Sequence, residues 1–146
     1  MLVYFEFHRN AVIEPSHLEA LDIPMLATLP SVKVMKKGYH LSQIFMEDVN
    51  SEFAESIRTL RTLLIAKYQK KKSILITSTY SGEGKTTIAL NLSLAFSKIG
   101  KVLLVETDIR RPSVLNIISK TEEIKQPGFS DIIQGNVDFS DTLTEL

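Results

Sequence analysis

The sequence predicts an α/β fold, a parallel sheet with flanking helices. Three observations carry that prediction. Two short apolar runs, 73–78 and 102–105, read as strands covered on both faces. An Ala- and Leu-rich helical segment, 86–99, separates them and makes one βαβ unit with a right-handed crossover. Between the first strand and that helix lies a turn of small residues, 79–84.

The elements follow in order. Residues 1–5 are apolar and are soon followed by His8 and Arg9. They lack the basic start and cleavage site of a signal peptide. They read as a short strand or a disordered start, or alternatively as the end of a membrane helix with Arg9 on the cytoplasmic side. Residues 24–30, bounded by Pro24 and Pro30, form a strand or an extended link, and 31–42 an exposed loop with Lys33, Lys36, Lys37 and Gly38. From Glu47 to Tyr68 the period becomes helical: Phe53, Ile57, Leu60 and Leu64 recur at spacings of four, three and four. Lys67 and Lys70–Lys72 suit its C-terminus. Ile88, Leu92, Ala95 and Phe96 mark the buried side of the second helix, with Gly100 as its C-cap. Short helices are expected over 113–119 and 130–134, separated by Gln126-Pro127-Gly128. Two central strands are few for such a sheet, so the domain is expected to be incomplete at its C-terminus.

Composition bounds the function. The 146 residues fit one domain, and 44% hydrophobic with 23% charged residues supports an ordinary core. Seventeen Lys+Arg balance seventeen Asp+Glu, which argues against a general nucleic-acid binder. The absence of cysteine excludes a disulfide scaffold and a thiolate metal site. No apolar run approaches the roughly 20 residues that span a bilayer. His8, His17 and His40 share no ligand spacing.

The strongest chemical signal is Ser78-Thr-Tyr-Ser-Gly-Glu-Gly-Lys-Thr-Thr87 between strand and helix. Ser81, Gly82, Glu83, Gly84, Lys85, Thr86 and Thr87 form a loop whose backbone N–H groups can cradle phosphates at a helix N-terminus. Lys85 can reach the β- and γ-phosphates of ATP, and the Thr86 hydroxyl can hold Mg²⁺. Thr79 stands where the common pattern has its first glycine, so the loop is a variant P-loop.

Glu106 and Asp108 leave the carboxyl end of the second strand, where ligands of open α/β sheets sit. There they can hold Mg²⁺ or its waters, or accept a proton from an incoming hydroxyl. The bland alternative is a cap on the following turn. Arg110 and Arg111 suit either a phosphate or solvent. On the long helix, Glu55 and Arg58 can pair across one turn, and with Arg61 they read by themselves as a solvated charged face.

Together these residues resemble the cytoplasmic domain of the bacterial tyrosine kinases of capsule and exopolysaccharide synthesis. Residues 21–30 look like the family's lead-in after its second membrane helix, and Glu55-x-x-Arg58-x-x-Arg61 like its subunit-contact motif. Ser81–Thr86 matches its Walker A, and 102–112 its second acidic motif, Walker A′, with Glu106 where Asp is commoner. Residues 127–135 resemble the segment that follows.

The resemblance implies a lead-in from a membrane-proximal linker over 1–46 and a P-loop kinase domain over 47–146. It implies an ATP- and Mg²⁺-dependent tyrosine autokinase with Lys85, Asp108 and Glu106 catalytic, and Thr86, Asp108 and Glu106 at the metal. It further implies a homo-oligomeric ring through Glu55, Arg58 and Arg61. The implied partners are tyrosine-containing proteins, including its own C-terminal tail, and the polysaccharide polymerisation and export machinery. The implied location is the cytoplasmic face of the bacterial inner membrane. Walker B and the tyrosine cluster are expected beyond Leu146, and residues 1–5 are again a candidate membrane-helix end.

Two other classes compete. One is a partitioning or division-site ATPase switch, whose loop carries a signature lysine where Tyr80 stands here. The other is a non-catalytic oligomeric scaffold for polysaccharide assembly.

Overall fold

The computed structural model describes residues 2–4, 24–32, 44–78, 80–119 and 126–145. These fall into two compact units, Met1–Val102 and Leu103–Leu146.

The first unit is organised by α2, Glu52–Lys67, which forms where the fourfold and threefold apolar spacing begins. Ser51 caps it: its Oγ accepts the Ala54 N–H at 3.2 Å and donates to the Asp48 carbonyl at 2.7 Å. Glu52 and Glu55 in the first turn and Lys67 in the last suit the helix dipole. Phe53, Ile57, Leu60 and Leu64 are all buried, as their spacing predicts. Each such burial stabilises by roughly 1.5–3 kcal/mol.

Two more helices share that core. The single turn α1, Ile44–Glu47, buries Ile44 and Phe45, and α3, Lys85–Ser97, buries Ile88, Leu92 and Ala95. The expected helix from Glu47 is therefore two elements, broken at Asp48–Ser51, where Ser51 finds a better role as a cap. Ile44 and Phe45 of α1 pack in the same core as α2. The extended link after Pro24 lays Leu26, Ala27 and Leu29 against this core. Helix α3 stops at Ser97 with Lys98 as its C-cap, and Gly100 N–H closes the turn onto the Phe96 carbonyl at 3.1 Å.

The parallel pairing differs from the expectation. Strand β2, Leu75–Thr77, pairs with β1, Leu2–Tyr4, in the register Leu2–Leu75, Val3–Ile76 and Tyr4–Thr77. Leu2–Tyr4 is thus a strand and not the end of a helix. Among the described residues no helix is long and apolar enough to cross a membrane.

The run 102–105, expected as the second buried strand, has no strand structure, and Leu103 and Val105 are 58% and 45% exposed. An apolar run becomes a strand only when a neighbour takes its N–H and C=O groups, and among the described residues none pairs with 102–105. The βαβ unit predicted over 73–105 is therefore not formed.

The second unit holds α4, Val114–Ser119, α5, Phe129–Ile133, and a 3-10 turn, Phe139–Thr142. Both short helices lie within one residue of the sequence expectation. Asp131 Oδ2 accepts the Gly128 N–H at 2.8 Å and fixes the entry to α5. The expected loop over 33–42 and the three histidines lie outside the described residues.

Candidate functional site

The loop from Ser78 to Lys85 joins the end of β2 to the start of α3. Gly82 and Gly84 take φ of +87° and +85°, a region costly for residues with a Cβ. A Cβ at either position would meet nothing within 4 Å, so the glycines open space beside the loop backbone. Gly84 is also the N-cap of α3 and has no side chain to offer. The first-turn N–H groups therefore have no intrahelical acceptor. A phosphate fits this arrangement, since it accepts several N–H groups at once and carries the sign the helix dipole favours.

The loop is cross-linked by its own polar groups. Lys85 Nζ donates to Ser78 Oγ at 2.7 Å and to the Tyr80 carbonyl at 3.0 Å. Ser78 Oγ in turn donates to that same carbonyl at 3.0 Å. The Tyr80 N–H donates to Glu83 Oε2 at 2.9 Å, and Glu83 is only 3% exposed. The Glu83 side chain thus shapes the loop from within. Lys85 is held by two neutral oxygens, and an anionic phosphate offers it a stronger, charge-assisted bond. Thr86 and Thr87 are half-buried in the first turn.

Two contributors were not among the sequence candidates. Ser78 is half-buried at the end of β2 and steadies the Lys85 ammonium. Asn91 is 0% exposed on the apolar face of α3. A polar residue interrupting the stripe of Ile88, Leu92 and Ala95 was the available signal, because a buried amide must find partners.

The acidic pair lies in the second unit and acts locally there. Glu106 Oε1 accepts the Ser113 N–H at 2.7 Å and the Val114 N–H at 3.1 Å, capping α4. Asp108 is exposed, and its Oδ1 accepts the Arg111 N–H at 3.2 Å. Both carboxylates therefore have capping partners. Among the described residues no three His, Asp or Glu side chains gather as a metal cluster. A P-loop Mg²⁺ needs none, since a hydroxyl, phosphate oxygens and water supply most of its ligands.

The helix residues are engaged within the chain. Arg58 Nη1 pairs with Glu55 Oε2 at 2.6 Å, its Nη2 donates to the Val49 carbonyl, and its guanidinium lies 5.4 Å from the Phe45 ring centroid. Arg61 Nη1 donates to the Ala95 carbonyl at 2.7 Å, near the end of α3.

Comparison with known proteins adds to this geometry. Residues 74–144 match the family described as the CobQ/CobB/MinD/ParA nucleotide binding domain. Tyrosine-protein kinase YwqD of Bacillus subtilis (strain 168) is 42% identical over 74 residues, 49% of this chain and 31% of that protein. Tyrosine-protein kinase CpsD of Streptococcus agalactiae is 30% identical over 107 residues, 68% of this chain and 46% of that protein. Putative tyrosine-protein kinase CapB of Staphylococcus aureus is 27% identical over 114 residues, 75% of this chain and 49% of that protein. The chain spans less than half the length of each of these relatives. No solved structure matches it significantly. The resemblance to the bacterial tyrosine kinases is borne out by these matches.

Proposed function

We propose that this chain, whose residues 74–144 carry a nucleotide-binding domain of the CobQ/CobB/MinD/ParA family, serves an ATP-dependent protein-tyrosine autokinase of capsule or exopolysaccharide synthesis and export. The observation that carries the reading is the loop itself. Two positive-φ glycines leave open space beside the loop at a helix N-terminus, with the Lys85 ammonium held at the same loop by neutral oxygens. The relatives' names favour a tyrosine kinase over a partitioning switch.

In this reading the N–H groups of 82–87 bind the phosphates, and Lys85 bridges the β- and γ-phosphates. Thr86 would hold Mg²⁺, which would supply charge neutralisation for the phosphoryl oxygens, and the Asp108 and Glu106 carboxylates would serve as acidic partners of the reaction. The tyrosine hydroxyl oxygen forms a bond to the γ-phosphorus while the bond to the β–γ bridging oxygen breaks. ADP leaves, and the hydroxyl proton passes to the Asp108 carboxylate or to water. The full domain adds parallel strands to the pair described here. Subunits meet in a ring through Glu55, Arg58 and Arg61, at the cytoplasmic face of the inner membrane. There they phosphorylate one another's C-terminal tyrosines and engage the polysaccharide machinery.

The test is phosphate transfer from labelled ATP to tyrosine in the full-length protein, with Lys85→Met beside it. Label on tyrosine in the parent and none in the variant is expected. ATP binding without any transfer would favour the scaffold reading. ATP hydrolysis without phosphotyrosine would favour the partitioning type.

A further inference from the structure

The phosphate-binding turn sits at the start of α3, and α3 is tied by directional bonds at its middle and near its end. At its middle, Asn91 Oδ1 accepts the Phe45 N–H of α1 at 2.8 Å. The same amide donates through Nδ2 to the Thr87 carbonyl at 2.8 Å. Near its end, the Ala95 carbonyl accepts Arg61 Nη1 of α2 at 2.7 Å. Around these ties the contact is apolar, with Ile88, Leu92 and Ala95 in one core with Ile57, Leu60 and Leu64.

Apolar packing is non-directional and by itself tolerates sliding or rotation of one helix on another. Buried hydrogen bonds are directional, and a buried polar group that loses its partner is costly. The Thr87 carbonyl orients the Asn91 amide, so its oxygen faces the Phe45 N–H. That N–H belongs to the first turn of α1 and has no acceptor within that helix. The amide thus sets where the first turn of α3 stands relative to α1, one turn from Thr87 and less than two turns from Lys85. Helices α1 and α2 lie wholly before residue 74, where the nucleotide-binding family match begins.

We infer that Asn91 is a positioning residue for the phosphate-binding turn, fixing Lys85–Thr87 through its bonds to the Thr87 carbonyl and the Phe45 N–H, so that the α1–α2 segment is part of the nucleotide site's scaffold. The inference rests on the nucleotide-binding reading and extends it to residues outside the matched domain.

The experiment uses the full-length protein with Asn91→Leu, Asn91→Asp and Leu60→Ala. Asn91→Leu removes both bonds while keeping the branched shape and heavy-atom count, at somewhat larger volume. Asn91→Asp keeps the acceptor for Phe45 and loses the donor to Thr87, so it serves if the leucine variant does not fold. Leu60→Ala weakens the same core without touching the amide. Two quantities are read below every melting transition: ATP–Mg²⁺ affinity by calorimetry, and amide hydrogen exchange over 82–87 without nucleotide.

The Asn91 variants are expected to weaken affinity at least about fivefold, as loss of one hydrogen bond implies, and to speed exchange over 82–87. Leu60→Ala is expected to leave affinity within about twofold although it lowers the melting temperature. Unchanged affinity and exchange in the Asn91 variants, or equal losses in Leu60→Ala, would overturn the inference. If the parent binds no ATP, the nucleotide reading itself fails, and the exchange comparison still decides whether Asn91 positions the turn.

Discussion

Lys85 and Ser78 meet at 2.7 Å, ammonium to hydroxyl, across seven residues of chain. The contact draws the first side chain of α3 back to the end of β2 and closes the loop on itself. The Tyr80 carbonyl, 3.0 Å from the same ammonium, completes the arrangement. An incoming phosphate would exchange neutral acceptors for charged ones at a cation already in place.

Lys85→Met is therefore expected to weaken ATP–Mg²⁺ binding at least about tenfold, the equivalent of about 1.4 kcal/mol. Calorimetry on the full-length protein measures it. Ser78→Ala removes only a neutral partner and is expected to change affinity by less than about fivefold, the scale of one ordinary hydrogen bond.

Gly84→Ala and Gly82→Ala should each destabilise the fold by about 1–2 kcal/mol, because φ near +85° is strained for any residue with a Cβ. Nothing lies within 4 Å of either built Cβ, so the cost is one of backbone strain and not of collision. The added methyl group would also intrude on the phosphate cradle. Denaturant melts give the first effect and nucleotide titration the second. Full stability with full affinity in both variants would refute the left-handed geometry.

Arg61 and Arg58 should separate in a stability measurement. Arg61→Ala loses the bond to the Ala95 carbonyl and is expected to cost about 1 kcal/mol. Arg58→Ala loses the exposed pair with Glu55 together with the bond to the Val49 carbonyl and the contact over the Phe45 ring, and is expected to cost more, about 2 kcal/mol. If the arginines also form the proposed ring, the double variant should dissociate it while the helix stays folded, since alanine favours helix. Light scattering with circular dichroism on the full-length protein distinguishes these effects. An unchanged oligomer would leave the arginines with their intrachain roles alone.

Glu106 and Asp108 should also part company. Glu106→Ala removes the acceptor for Ser113 and Val114 and is expected to cost about 0.5–2 kcal/mol, the range for loss of a helix cap. Asp108→Asn keeps an oxygen for the Arg111 N–H, so stability should barely change. If Asp108 serves the transition state, turnover should fall far more than ATP affinity. Parental turnover in Asp108→Asn would leave Asp108 as a turn cap only.

Local order in the chain was sufficient for much of this molecule. The stripe of Phe53, Ile57, Leu60 and Leu64 specified the long helix and its buried face, because a period near 3.6 leaves one solution. The Gly-x-Gly-Lys-Thr spacing specified the strand-to-helix loop, because φ above zero and bare N–H groups are properties of neighbouring residues. The Glu55–Arg58 pair follows from one-turn spacing in the same way. Other relationships join residues far apart in sequence, and only the tertiary structure decided them. Leu2–Tyr4 took the ladder of β2, and the apolar run 102–105 formed no strand, because pairing depends on which partner reaches an edge. Arg61 turned to a carbonyl on α3, and Asn91 joined α3 to α1, because a buried polar group bonds to whatever the packing places within about 3 Å.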